Sequence, residues 1–440
     1  MWRKIYLETK RIRSISLSLN RQTVPDGFLQ EVKREESLES KARRIIKKQR
    51  PFCSAVLDHF DHQYNEELGD LWPSARVALL DRQSWQYGVM LNRFSTVTDK
   101  TQVLQALGFS SLPQQTHVSA LLCDGASAVS NSKLEERQDT LLSPPYVSKC
   151  PPEDFSLQTD TSSQDPLSEF ALSLPHSSLK CYIHPHTLRF PSQAYRPDRL
   201  KQYYLLNAAS LLPVLALQVR DGDKVLDLCS APGGKAVAIM QSATPALLCC
   251  NEPQPHRRDW LVETLDSFLP CSLSSSVVVS TQDGRSFGND KADFYDKVLV
   301  DAPCSNDRSW LYAGTQQQGE ERLEDRKQLP VLQAQLLRSA LSAVRRGGVV
   351  VYSTCTLSSY ENQAVVETVL NDFPEAEVED LWEEIALPLS KYFAFSPHPA
   401  GGRTHSKPPP LPLNRKLGIL VVPQPGRTWG PMFLSRIRRK

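Results

Sequence analysis

A chain of 440 residues is long enough for two or three compact units with real cores. Its net charge of +2 excludes a surface that binds polyanions as a whole, so any nucleic-acid contact must be local. Ten cysteines without a Cys-x-x-Cys pair give no zinc framework and suit a reducing compartment, and no apolar run approaches the ~18–20 residues that span a bilayer. Neither a metal nor a membrane is expected.

In residues 1–24, Arg3, Lys4, Lys10, Arg11, Arg13 and Arg21 face a single acid, Glu8, among Ile, Leu and Ser. That is the composition of a mitochondrial transit peptide, with no apolar core of a secretory signal. A solvated basic tail or an RNA-touching arm has the same composition. Residues 31–50 mix Glu with Lys and Arg as an exposed charged helix. Together, 1–50 are expected to be transit peptide and basic leader.

From Ala55 to Phe94 the chain reads as folded, part of an amino-terminal lobe over 51–109. Val56, Leu57, Phe60 and Tyr64 recur at helical spacing, and Trp72, Val77, Leu79 and Leu80 continue an apolar face. The aromatics of Trp85-Gln-Tyr-Gly-Val-Met-Leu91 read as core in preference to base-stacking platforms. Between 110 and 178, Ser, Gln, Asp, Thr and Pro take over, as in Thr159-Asp-Thr-Ser-Ser-Gln-Asp165. Apolar content there is too sparse to offset the ordering entropy, so a disordered insert is expected.

Order resumes near Leu179-Lys-Cys-Tyr-Ile183. Leu200–Leu217 reads as a helix carrying Tyr203, Tyr204, Leu205, Leu206, Leu211, Leu212 and Leu215, interrupted or ended by Pro213. The rest of 179–440 alternates strands and helices, which means an α/β fold with a mostly parallel sheet covered on both faces. Expected strands are Lys224–Cys229, Ala246–Asn251, Val277–Ser280, Asp296–Asp301, Gly348–Ser353, Lys391–Phe395 and Leu417–Val422, with Met432–Arg436 pairing at the edge. Leu329–Val344 and Asn362–Phe373 are expected helices, the first stopped by Gly347-Gly348. Residues 397–414, without periodicity, read as a loop.

The chemistry is expected at the strand ends. Val225-Leu-Asp-Leu-Cys-Ser-Ala-Pro-Gly-Gly-Lys235 reads as strand, sharp glycine turn and buried helix start, the arrangement that sets a nucleoside at the carboxyl end of a parallel sheet. A purely structural turn has the same form. There is no Gly-x-Gly-x-x-Gly for a dinucleotide, and Ala236 stands where a P-loop needs Ser or Thr. A nucleoside without phosphates fits better, which points to S-adenosylmethionine. Glu252 follows the second strand, where a carboxylate can accept both ribose hydroxyls. Asp283-Gly284 follows the third, although alone it is a turn signal. Cys304 and Cys355 stand at the ends of two consecutive strands, where a lone buried cysteine is ordinarily an inert small hydrophobe.

Three stretches in this order, Asp227-Leu-Cys-Ser-Ala-Pro-Gly-Gly-Lys235, Asp301-Ala-Pro-Cys304 and Ser353-Thr-Cys-Thr-Leu-Ser358, resemble the motifs of the Sun-domain (NSUN) RNA cytosine-5 methyltransferases. The resemblance covers most of residues 51–105 and 178–440. It implies a class I Rossmann-like methyltransferase with an amino-terminal RNA-binding lobe, in which the insert is a departure, since the family's connection is shorter. The cofactor would be held by Cys229, Ser230, Ala231, Pro232, Gly233, Gly234, Lys235, Glu252, Arg257, Asp283, Gly284 and Asp301. Asp283 would accept from the adenine amino group, with Gly284 leaving room for the ring. For Arg257 a surface salt bridge is the equal alternative.

The implied chemistry begins from a poor nucleophile. A thiolate added to C6 of cytosine makes C5 enamine-like, splitting one hard step into two. Cys355 matches the family's attacking thiol, Asp301 the acid that holds N3 and the exocyclic amine, and Cys304 the second cysteine, which helps release the product. Having both Pro303-Cys304 and Thr354-Cys355 is the RNA-type pattern, and DNA is not an expected partner. The runs 298–311 and 352–358 resemble those of family members acting on mitochondrial tRNA-methionine at its wobble cytosine. A monomer in the mitochondrial matrix acting on that tRNA is therefore expected. Mitochondrial ribosomal RNA, or a non-catalytic assembly role, are the alternatives. An anticodon loop offers unstacked bases cheaply. Arg308 and Trp310, then Arg322, Arg326, Lys327 and Arg436-Ile-Arg-Arg-Lys440, are candidate RNA contacts, with structural roles as the alternative.

Overall fold

The computed structural model describes residues 52–95, 100–112, 179–196, 199–312, 314–396 and 417–440. The expected leader, all but the first three residues of the expected insert, and the expected loop 397–414 lie outside the described residues. Residues Pro51–Lys440 form one compact unit.

The first described elements are helices α1 (Ser54–Leu68) and α2 (Trp72–Leu80), strand β1 (Gly88–Leu91), helix α3 (Lys100–Ala106) and the short strand β2 (Ser110–Ser111). With β3 (Cys181–Ile183) and β4 (Tyr203–Leu206) the strands make a four-stranded antiparallel sheet in the order β2-β3-β1-β4. The described residues therefore run through Leu112, slightly past the expected start of the insert. Val56, Leu57, Phe60 and Tyr64 are buried as their spacing predicts, whereas Val77 is exposed on the outer face of α2.

The larger sheet holds β5 (Lys224–Asp227), β6 (Leu247–Asn251), β7 (Val277–Ser280), β8 (Tyr295–Asp301), β9 (Val344–Thr354), β10 (Ala376–Glu379), β11 (Ile419–Val421) and β12 (Met432–Arg439). Its order is β10-β12-β9-β8-β5-β6-β7, with β11 beside β12. The five strands β5 to β9 are parallel. From β5 the chain winds one way through β6 and β7, then crosses to β8 and β9, so the order reverses between β5 and β8. Ligands of open α/β sheets bind at such a switch point, outside the carboxyl ends of the strands.

Both faces of the sheet are covered. Val225, Leu299, Val349, Val351 and Leu434 pack in one core, with helices α4 (Leu212–Leu217), α5 (Gly234–Ser242) and α6 (Pro255–Phe268). Their neighbours Leu226, Val298, Val300, Val350, Tyr352 and Phe433 pack in the other, with α1 and the later helices Leu329–Ala343 and Gln363–Leu370. This period-2 division is why the strands read as continuous apolar runs.

Four expectations are corrected. Leu200–Leu217 is not one helix: β4 pairs antiparallel with β1, a 3-10 turn capped by Asn207 follows, and Pro213 begins α4. Proline costs nothing in a helix's first turn, where its missing N–H has no partner to lose. Lys391–Phe395 is not a strand and makes one isolated bridge, Phe395 to Val421. Strand β12 is internal, antiparallel between β9 and β10, as its unbroken burial from Met432 to Ile437 requires. The helix before β9 ends at Ala343, so Gly347-Gly348 lies within the strand and does not stop the helix.

Candidate active site

Beyond β5 the chain turns through the glycine loop. Gly233 has φ +102°, which a side chain tolerates poorly, and a Cβ there would meet Leu261 Cδ1 at 3.0 Å. A Cβ on Gly234 would stand 3.1 Å from the Tyr204 ring. The loop thus threads between α6 and β4 and has no room for side chains. Gly233 N donates to Ser230 O at 2.8 Å and Ser230 N to Asn251 O at 2.9 Å. Arg257, reaching from α6, donates to Ala231 O at 3.0 Å and lies 3.3 Å from Glu252 Oε2. It is more than a surface ion pair, because it ties the loop to the buried Glu252.

These surroundings suit a nucleoside cofactor. Pro253, Val331 and Leu332 provide apolar walls to a cleft of about 600 Å³ with Asp283 at its rim. Glu252 is buried at the end of β6, its Oε1 accepting from Gln254 N at 3.0 Å. At the base of the loop, Asp227 Oδ1 and Asn251 Oδ1 are buried acceptors without a hydrogen-bond partner. Gly284 is closed in, a Cβ there falling 2.7 Å from Leu336 Cδ2. Asp283 is itself clasped by Arg285, at 3.0 Å from Nε and 2.5 Å from Nη2, and this cation lowers its pKa.

Asp227 was not among the expected site residues. Its Oδ2 accepts from Ser230 Oγ at 2.8 Å, and burial pushes its carboxyl from 3.8 up to about 7. The folded state therefore holds this proton more tightly than the unfolded chain. Its contribution to stability is complete below about pH 4 and is lost as pH rises through 7. Asp307, raised by burial to about 6, adds to the same slope. Asp227→Asn is expected to reduce, and not to remove, the fall in Tm between these pH values in a fluorimetric melt series. An unchanged slope would exclude Asp227 as a source.

The residues expected to react meet where β8 and β9 end. Their register sets Asp301 beside Ser353, and Ser353 Oγ donates to Asp301 Oδ1 at 2.9 Å. Lys235, from the glycine loop, bonds Oδ2 at 2.7 Å. Burial works against the Lys235 charge, but Asp301 outweighs it and the pKa is raised. Just beyond, the Cys304 and Cys355 sulfurs are 3.3 Å apart, and Cys355 N donates to Cys304 Sγ at 3.3 Å. The hydrogen bond with Cys355, helped by burial, lifts the Cys304 thiol well above its ordinary pKa. The structure thus gathers Lys235, Asp301, Cys304 and Cys355 where β8 and β9 end.

Most candidate phosphate contacts are engaged inside the protein. Arg308 donates to Thr428 O and stacks over Trp85, its centre 4.6 Å from the ring. Arg326 is buried against Glu361. Arg436 pairs with Glu379 and Glu384, Arg438 with Glu379, Arg439 with Asp293 and Lys440 with Glu377. Lys327 pairs with Glu324 on the surface. Arg322 lies over the Trp310 ring at 6.0 Å, beside the Cys304 loop.

A parallel sheet with a glycine turn after its first strand, an acid after its second and an order that reverses between β5 and β8 defines a class I methyltransferase. The family described as 16S rRNA methyltransferase RsmB/F matches residues 214–402. A mitochondrial tRNA (cytosine(34)-C(5))-methyltransferase of Danio rerio is 47% identical, covering 90% of this chain and 91% of its own. The Mus musculus protein of that name is 39% identical, over 91% and 94%. The 5-cytosine rRNA methyltransferase NSUN4 of Xenopus tropicalis is 34% identical, over 88% and 91%. A methyltransferase homologue from Pyrococcus horikoshii shares the fold, with a TM-score of 0.51 at 19% identity over 87% of this chain and 94% of that one. The chain belongs to the RsmB/F (NSUN) family of S-adenosylmethionine-dependent RNA cytosine-5 methyltransferases.

Proposed function

We propose that the chain methylates C5 of the wobble cytosine of mitochondrial tRNA-methionine, in the mitochondrial matrix and as a monomer, with Cys355 as nucleophile. The observation that carries this reading is the pair of sulfurs 3.3 Å apart beside Asp301. The two relatives named for cytosine 34 of a tRNA, both mitochondrial, support the substrate and the compartment. A transit peptide within residues 1–50 agrees with that compartment.

Bound S-adenosylmethionine would supply an electrophilic methyl group, with the glycine loop 229–235 on its methionine side, Glu252 and Arg257 at the ribose, and Asp283 and Gly284 at the adenine. The protein's own groups do the rest. Cys355 adds through sulfur to C6, which leaves C5 nucleophilic. Asp301, fixed through both oxygens by Lys235 and Ser353, stands at the N3 and amino edge to steady charge developing there. After C5 is methylated, its proton is taken by a base, the electrons return to the C5–C6 bond and the sulfur–C6 bond breaks. Cys304, in contact with the attacking sulfur, assists that release. The base must leave its stack to reach these groups, which a loop allows at little cost. Residues 51–109 and the Arg322–Trp310 pair serve the RNA.

The test is bisulfite sequencing of total RNA from cells lacking the protein, with and without rescue by the wild-type chain. One wobble cytosine in mitochondrial tRNA-methionine should lose its mark and regain it on rescue. Loss confined to ribosomal RNA would move the chain to the substrate named for the NSUN4 relatives. No change at any cytosine would favour a non-catalytic role.

A further inference from the structure

The two cysteines come from different strands, and nothing in either strand alone sets them 3.3 Å apart. Two consecutive residues, Glu361 and Asn362, lie next to both. Glu361 Oε1 accepts from Ser305 Oγ at 2.6 Å and Arg326 Nε at 3.1 Å. Its Oε2 accepts from Ser305 N at 2.9 Å and Gln333 Nε2 at 3.0 Å. Gln333 Nε2 also donates to Pro303 O at 2.8 Å. The residues before and after Cys304 are therefore both fixed through Glu361.

Asn362 does the same for the other sulfur. Its Oδ1 accepts from Thr354 Oγ1 at 2.5 Å and its Nδ2 donates to Thr356 O at 3.0 Å, so the residues before and after Cys355 are fixed as well. Tyr352 donates to Glu361 O at 2.6 Å, which anchors the dipeptide to β9 itself. Apart from Pro303 these residues are buried, where hydrogen-bonded polar networks rigidify, and only Gln333 Oε1 and Arg326 Nη1 among their side-chain atoms are buried without a partner. Neither the Glu361 nor the Asn362 side chain touches a sulfur.

We infer that Glu361 and Asn362 are positioning residues for the reaction, one bracing the Cys304 loop and the other the Cys355 strand end so that the two sulfurs stay in contact. The inference rests on the cysteine-pair reading of the site. Displacing a reacting group by about 1 Å costs on the order of 10²-fold in rate. The braces hold thiols and not the cofactor cleft, so they should act on kcat and leave binding alone.

The experiment uses the full chain, tRNA-methionine transcript and S-adenosylmethionine. Its readouts are steady-state kinetics, cofactor Kd by calorimetry, and the rate of covalent protein–RNA complex formation on a transcript with 5-fluorocytidine at the wobble position. Glu361→Gln and Asn362→Asp keep shape while misplacing a donor or an acceptor. Each is expected to lower kcat and the rate of complex formation by about 10²-fold, with KM and Kd changing less than about 3-fold. Ser305→Ala, which removes a donor to Glu361 and the bond from Ser305 Oγ to Thr356 Oγ1 but keeps the Ser305 N bond to Glu361, should give a smaller loss in the same direction. Wild-type kcat in the first two variants would overturn the inference. So would a parallel loss of cofactor affinity, since that marks general unfolding. A wild-type chain that forms no complex would instead overturn the cysteine reading on which the inference stands.

Discussion

Cys355→Ala is expected to abolish methyl transfer, with a fall on the order of 10³-fold or more, and to leave no covalent complex with RNA. Cys304→Ala should fail in a different way. On the proposed roles it keeps the attacking sulfur, so the bond to C6 should still form, and it loses the group beside that sulfur proposed to help the bond break. A stalled protein–RNA complex should then accumulate and survive denaturing electrophoresis. The hydrogen bond with Cys355 and burial both favour a protonated Cys304. A group that holds its proton is a poor first nucleophile and a good partner for a departing thiolate. The measurement is a gel of each variant with labelled transcript, alongside transfer of labelled methyl. If Cys304→Ala prevented the complex and Cys355→Ala accumulated it, the roles would be exchanged. If both variants methylated RNA at the wild-type rate, neither sulfur would be catalytic.

What the sequence revealed of this site, and what it hid, divides along a physical line. Strands β5 to β9 were legible because burial on both faces forces continuous apolar runs, and the glycine loop because backbone constraints leave a local signature. The positions of Cys304, Cys355 and Asp301 were legible through motifs at strand ends and that of Lys235 through the glycine loop, and the parallel register of β8 and β9 sets Asp301 beside Ser353. Leu200–Leu217 misled because leucine and tyrosine serve strand and helix equally, and pairing with β1 decided the matter from far along the chain. For Arg308, Arg326 and Arg436 the sequence left an RNA contact and a structural role both open, because a cation in the sequence carries no mark of its partner. Glu361, Asn362, Asp307 and Tyr64 were missed altogether. Their roles exist only once α1, the two cysteine loops and the helix following Thr315 come together.

That convergence has its own cost and its own test in Arg326. It is 6% exposed, bonded to Glu361 Oε1 at 3.1 Å and to Tyr64 Oη at 2.8 Å, and it stacks against Phe60 at 4.9 Å. Tyr64 Oη in turn donates to Asp307 Oδ1 at 3.0 Å, and Asp307 Oδ2 holds Leu357 N at 2.8 Å. One guanidinium thus offsets two buried carboxylates, Glu361 behind Cys304 and Asp307 behind Cys355. Arg326→Met keeps most of the volume and removes the charge. Breaking a buried pair by removing one partner costs about 3–5 kcal/mol, because the remaining charge stays buried without compensation. The variant should show that loss as a lower urea midpoint. Adding Glu361→Gln to Arg326→Met should recover part of it, since the uncompensated charge is gone, although each change alone is harmful. The deficit should also narrow as pH falls, because burial penalises only the ionised form of a carboxyl. A loss below about 1 kcal/mol, or a double variant that is simply the sum of the two, would mean that surrounding dipoles and not Arg326 carry the carboxylates.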